Sequence, residues 1–111
     1  MSNLYPLTRY ATRHTDSRMA IQSFACRDTE GLYETGTNKR FGNIAKVALR
    51  KLDYLNSAAG LNDLHSPPGN KLEPLKRDRA GQHSIRINDQ WRICFVWTAA
   101  GPTQVEICDY H

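Results

Sequence analysis

The chain has 111 residues, 40% hydrophobic and 23% charged, with a formal charge of +4 at pH 7. That length suits one domain with a core of its own, and the ordinary apolar share argues against disorder. Three cysteines, Cys26, Cys94 and Cys108, lack framework spacing and point to reduced thiols, and no apolar run approaches the roughly 18 residues of a membrane span.

Arg9, Arg13, His14 and Asp16 interrupt any signal-peptide core near the N-terminus, so a cytoplasmic location is expected. Residues 1–18 keep no helical or strand period. They are expected to form a flexible extension ahead of Met19, which would be the functional start, with 19–111 as the single folded domain. Met19 to Ala25 is a short β candidate with Ile21 and Phe24 as its bulky members. Asp28 is placed to cap a helix over Thr29–Thr35, closed by Gly36. After the basic connector Thr37–Gly42, Asn43 is placed to cap the longest helix, Ile44–Ala59. Ile44, Ala48, Leu52, Leu55 and Ala59 form its apolar stripe, and Gly60 is expected to close it. Lys46, Arg50, Lys51 and Asp53 fall mostly off that stripe and predict a solvated face. Lys46 and Arg50 would otherwise extend a basic surface.

Leu61–Asn70 reads as a returning loop broken by Pro67, Pro68 and Gly69. Lys71–Lys76 is a short strand that Pro74 restricts to an edge. Gly81–Asn88 alternates His83, Ile85 and Ile87 with Ser84 and Arg86. Asn88 and Asp89 predict a tight turn at positive φ. Gln90–Thr98 places Trp91, Ile93, Phe95 and Trp97 on one face and Arg92, Cys94 and Val96 on the other. Gly101-Pro102 predicts a turn before a last strand, Thr103–Tyr110, with Val105 and Ile107 inward. The order implies an α+β domain, two helices covering one face of an antiparallel meander.

Leu75–Trp97 concentrates the charge. Lys76, Arg77, Arg79, Arg86 and Arg92 outnumber Asp78 and Asp89 there, and they interleave with β-forming residues. Cations laid on a sheet suit a polyanion such as RNA. Trp91 and Trp97 share a face with Ile93 and Phe95, which marks them as core. His83, in register with Ile85 and Ile87, reads as a hydrogen-bonded core or rim histidine. Metal ligation is not expected: Cys-x-x-Cys is absent, and Cys108 and His111 fall on opposite faces of one predicted strand. Neither a phosphate-binding glycine loop nor a serine-nucleophile motif is present, and no cofactor is expected.

Pro67-Pro68-Gly69-Asn70, Leu72-Glu73-Pro74-Leu75-Lys76, Asp78-Arg79, Gly81-Gln82, Ser84-Ile85-Arg86, Trp91-Arg92-Ile93 and the terminal Asp109-Tyr110-His111 resemble a known family. As an ordered set they are similar to HigB-type toxins of the RelE/ParE-like toxin–antitoxin superfamily, also called plasmid maintenance killers. The resemblance covers roughly 19–111. It implies a microbial-RNase-like α+β fold and an endoribonuclease that cuts mRNA on the translating bacterial ribosome. It also implies neutralisation by a helix-turn-helix, HigA-type antitoxin, with operator DNA reached only through that complex. The family positions that matter for cutting fall on Lys76, Arg92, Asp109, Tyr110 and His111. Some members have histidine where this chain has Glu73, and the usual glycine after the lysine is Arg77 here.

RNA brings its own nucleophile, so metal-independent cleavage needs a base for the 2′-OH, cations for the phosphorane and an acid for the 5′-oxygen. Lys76 and Arg92 are expected to supply the cations, and the arginine fork can hold two phosphate oxygens at once. His111 is the expected acid/base, since imidazole titrates near pH ~6.5. Tyr110 would stack or donate its hydroxyl, and Asp109 would orient His111 or act as base. In an unbroken strand, however, Asp109 and His111 share one face and Tyr110 takes the other. Arg77, Arg79 and Arg86 are expected to position RNA. Ion pairs are the rival role for Arg79 and Arg86, and a cross-strand carboxylate such as Glu106 is the rival partner for Arg92. The charge also fits a non-cleaving RNA- or ribosome-binding inhibitor of translation, and the superfamily resemblance also admits a gyrase-directed ParE-like toxin, against which Lys76, Arg92 and the terminal Asp-Tyr-His weigh.

Overall fold

The computed structural model describes residues 20–109. Two helices, α1 (Arg27–Thr35) and α2 (Ala45–Ser57), precede four strands: β1 (Glu73–Pro74), β2 (His83–Arg86), β3 (Trp91–Thr98) and β4 (Gly101–Asp109). The strands form one antiparallel sheet in the order β1-β2-β3-β4, the expected meander. The predicted extension at 1–18, Met19, Tyr110 and His111 lie outside the described residues.

Alternation builds the core. Ile85, Ile93, Phe95, Val105 and Ile107 leave one face of the sheet and meet Leu32 and Tyr33 of α1 and Ala48, Leu52 and Leu55 of α2. Trp91 and Trp97 pack half-buried against that core, as their register requires. Trp91 meets the Phe41 ring edge-on at 5.5 Å between centroids.

Several boundaries differ from expectation. Residues 21–25 are extended but join β4 by a single parallel bridge, Phe24 to Val105, supported by Val105 N–H to the Ser23 carbonyl at 3.1 Å. Helix α1 starts earlier, at Arg27, with Cys26 at the N-cap and no side-chain cap. Asp28 lies inside the first turn, where a carboxylate favours the dipole, and pairs with Arg40 at 3.5 Å. Gly36 ends α1 as expected, at φ 87, a conformation glycine takes without steric cost.

Asn43 does not cap α2. It sits in a 3-10 turn, Gly42–Ile44, that feeds the helix. The helix ends at Ser57, so Ala58 is buried and Ala59 exposed. The cause lies downstream: Asp63 Oδ2 accepts the Ala59 and Gly60 N–H groups at 2.9 and 3.1 Å and draws the chain into the next 3-10 turn, Leu61–His65. Lys51, expected in solvent, is 7% exposed.

The strand connections also depart from the prediction. Neither Asn88 nor Asp89 is among the residues with positive φ. Asn88 Oδ1 instead accepts the Gln90 and Trp91 N–H groups, both at 2.8 Å, and the side chain closes the hairpin. Gly101-Pro102 begins β4 rather than turning before it, with Trp97 opposite Pro102. Between Cys94 and Val96 the β3–β4 register shifts, and Gln104 takes φ 52 there, a bulge that gives β4 one extra residue.

Thr29 of α1 fastens β4. Its buried Oγ1 accepts the Ile107 N–H at 3.0 Å. A Thr29→Val variant keeps the shape and orphans that N–H. Unfolding in urea should show a loss of about 1–3 kcal/mol.

Candidate functional site

The second face of the sheet is set by the same alternation. Ser84 and Arg86 on β2, Arg92 and Cys94 on β3, and Glu106 and Cys108 on β4 point away from the helices. Glu73 and Ser84 are paired across β1 and β2, Ser84 with Cys94, and Cys94 with Glu106. Arg86, Arg92 and Cys108 form the next row. Leu75 packs on Cys94 and Cys108 in a small second core.

Arg92 is the centre of this face and is 8% exposed. Its Nε donates to Ser84 Oγ at 2.7 Å, and its Nη2 to the Lys71 carbonyl at 2.8 Å. Nη2 also lies 3.9 Å from Glu73 Oε2. The carboxylate beside Arg92 is therefore Glu73. Glu106 stands opposite Cys94 and accepts from Arg79 Nη2 at 3.1 Å. Arg79 also donates to Gln82, and Arg86 pairs with Asp89 in its own hairpin, so both take part in ion pairs. Lys76 and Arg77 are exposed and carry no ion pair among the described residues.

Two backbones near the site are left-handed. Lys71 has φ 46 and Arg77 has φ 56. The second conformation costs a side-chain-bearing residue about 1–2 kcal/mol and is natural to the glycine that the resemblance expects there. Arg77 puts a charge beside Lys76 at that cost.

The thiols Cys94 and Cys108 pack together, and Cys108 Sγ donates to Glu106 Oε2 at 3.4 Å. The neighbouring Cys108 thiol draws the Cys94 thiol below its ordinary value, helped by Arg79 and Arg92, and the Cys94 thiol together with burial pushes Cys108 up. His83 stacks on Phe95 at 6.3 Å at the rim of the opposite face. Its Nδ1 has no hydrogen-bond partner among the described residues, where a bonded histidine was expected.

Glu73 and Arg92 are thus brought together, with Lys76 three residues beyond Glu73. Asp109 ends the described part of β4 opposite Trp91, so its parity is that of the helix-covered face, and its Oδ2 accepts from Gln90 at 3.1 Å. Sequence reasoning missed Ser84 and the Lys71 carbonyl as acceptors for Arg92. Ser84 was findable: it has the parity of Arg86 and lies diagonal to Arg92 once the hairpin register is known. A backbone carbonyl carries no sequence signal.

A family model described as the RelE-like toxin of type II toxin-antitoxin system HigB matches residues 22–111. Toxin HigB-1 of Vibrio cholerae is 39% identical over 81 residues, which is 71% of this chain and 84% of that protein. An uncharacterized protein of Haemophilus influenzae is 43% identical over 53 residues, 48% of this chain and 52% of that one. The YoeB-YefM complex from Staphylococcus aureus contains a chain of similar fold, with TM-score 0.50 and 22% identity over 84% of this chain and 97% of that chain.

The Arg92 partners should differ in weight. Ser84→Ala leaves a buried Nε–H without its acceptor and should cost about 1–3 kcal/mol in denaturant unfolding. Glu73→Gln weakens only a long, half-exposed pair and should cost less than about 1 kcal/mol. Arg77→Gly relieves the left-handed backbone and should raise stability by about 0.5–1 kcal/mol in the same measurement.

Proposed function

Because the chain belongs to the HigB family of RelE-like toxins of type II toxin–antitoxin systems, we propose that it is a ribosome-dependent endoribonuclease that stops translation by cutting mRNA in the bacterial cytoplasm. The observation that carries this reading is Arg92, a buried guanidinium braced by Ser84 and the Lys71 carbonyl on the open face of the sheet, with the exposed cations Lys76 and Arg77 following β1 in the chain. Such a cation is oriented before substrate arrives and needs no reorganisation as phosphorane charge develops.

In this mechanism the 2′-hydroxyl of the message attacks its own phosphate. Arg92 and Lys76 stabilise the negative oxygens of the phosphorane. His111 exchanges protons with the entering and leaving oxygens, Asp109 orients it, and Tyr110 holds a base by stacking. Glu73 sits where it can tune Arg92 or share the proton traffic. Arg77 is the outlying phosphate contact, and Arg79 and Arg86 add to the field while held in their ion pairs. The products are a 2′,3′-cyclic or 3′-phosphate and a 5′-hydroxyl, and no metal takes part in any step. Neutralisation falls to an antitoxin, as the YoeB-YefM pairing suggests. A helix-turn-helix protein encoded by a neighbouring reading frame would fill that role, and the complex would carry the toxin to operator DNA.

Purified protein, ribosomes and one defined message test the proposal. Wild type should yield discrete new 5′-hydroxyl ends, and Arg92→Ala, Lys76→Ala and a chain lacking residues 110–111 should each lose on the order of 100-fold in rate. Full cutting by the shortened chain removes His111 and Tyr110 from the mechanism. Arrested translation with intact message makes the protein a non-cleaving inhibitor, and DNA breaks with intact message make it a gyrase poison.

A further inference from the structure

The acceptor that braces Arg92 from outside the sheet is a backbone carbonyl in a loop, and a loop holds such a group in place only if it is itself held. Lys71 takes the left-handed conformation, at φ 46 and ψ 55, directly after the 3-10 turn Pro68–Asn70. Its N–H donates to the Pro68 carbonyl at 3.1 Å, and the Asn70 N–H to the Pro67 carbonyl at 2.9 Å. The Asn70 side chain is wholly buried and anchors the turn at several points. Its Nδ2 donates to the Leu64 and Ser66 carbonyls at 3.1 and 3.2 Å, and its Oδ1 accepts from Lys51 Nζ at 2.6 Å.

Lys51 belongs to α2, on the covered side of the sheet. Its ammonium lies 5.8 Å from the Tyr54 ring and bonds an amide oxygen rather than a carboxylate. Burial, then Arg50 and Arg86, lowers its pKa. An apolar side chain of the same length would avoid desolvating a charge but would leave the buried Asn70 Oδ1 without its donor. The desolvated charge is therefore tied to Asn70 and to the turn that Asn70 anchors.

We infer that Lys51 and Asn70 are positioning residues for Arg92: α2 holds Asn70 through the lysine, Asn70 holds the turn, and the turn presents the Lys71 carbonyl that aims the guanidinium. This deepens the proposed cleavage reading and rests on it for its catalytic consequence. Neither residue reaches the message. Their loss leaves the Ser84 contact and the exposed cations in place, so binding survives and the chemical step suffers.

The test is Lys51→Met in the full chain, with Lys51→Ala as a second truncation should the methionine variant not fold, and Lys51→Arg as the conservative restoration. Steady-state cleavage of a defined message on ribosomes gives kcat and KM, and nitrogen-15 spectra follow the Arg92 guanidinium in the free protein. Truncation should lower kcat on the order of 10- to 100-fold with KM within about twofold. It should also broaden the Arg92 resonances, and arginine should recover most of both. Wild-type kcat with unchanged Arg92 resonances overturns the inference, and so does a loss confined to KM. Wild-type protein that cuts nothing, while truncation still broadens the Arg92 signals, upholds the brace and overturns the cleavage reading.

Discussion

A guanidinium in the middle of a sheet must have every N–H it buries matched, or the fold loses more than packing returns. Arg92 is held by acceptors from separate parts of the chain, a hydroxyl on β2 and a carbonyl from the loop before β1, while a carboxylate on β1 lies 3.9 Å away and balances the charge. They converge only if the β2–β3 hairpin has its observed register and β1 pairs at Glu73 and Pro74. The cation therefore acts as a check on the topology. A slip of one residue would turn Arg92 towards Leu52 and Leu55 and Ile93 towards the charges.

The two faces divide the work. Helices and aliphatic side chains on one side supply the cohesion, so the other side can hold groups that add little to it. There the cations are largely matched in pairs, Arg79 with Glu106, Arg86 with Asp89 and Arg92 with Glu73, which fixes their side chains against the sheet. The positive field left over comes from Lys76 and Arg77 at the mouth of the short 3-10 turn after β1. Those two side chains are exposed, whereas the Arg92 guanidinium is buried and fixed by its acceptors.

Much of this was legible in the residues. The period of Ile44, Ala48, Leu52 and Leu55 and the alternation along β3 located the core, because both depend on local geometry alone. Element ends were misplaced where a distant side chain decided them: Asp63 stops α2, and Asn88 closes the hairpin through its amide without a left-handed backbone. Lys51 was assigned to solvent because a helical wheel cannot foresee Asn70, nineteen positions later and buried. Of the residues named through the family resemblance, Glu73 and Arg92 are brought together in the fold, but the groups that support Arg92 were not legible. The Ser84 and Lys71 carbonyl contacts of Arg92 and the packing of Cys94 on Cys108 exist only once strands are paired.

The borders of the sheet carry a last consequence. Along β4, the Gln22 amide meets the Pro102 carbonyl, Ser23 and Ala25 bond Val105, and Thr29 meets Ile107. At the far side β1 offers two residues, one of them proline. A bare strand border is a template on which copies of a protein can polymerise. This chain blunts one border with its own leading segment and the other by brevity, so high local concentrations do not favour strand-by-strand assembly.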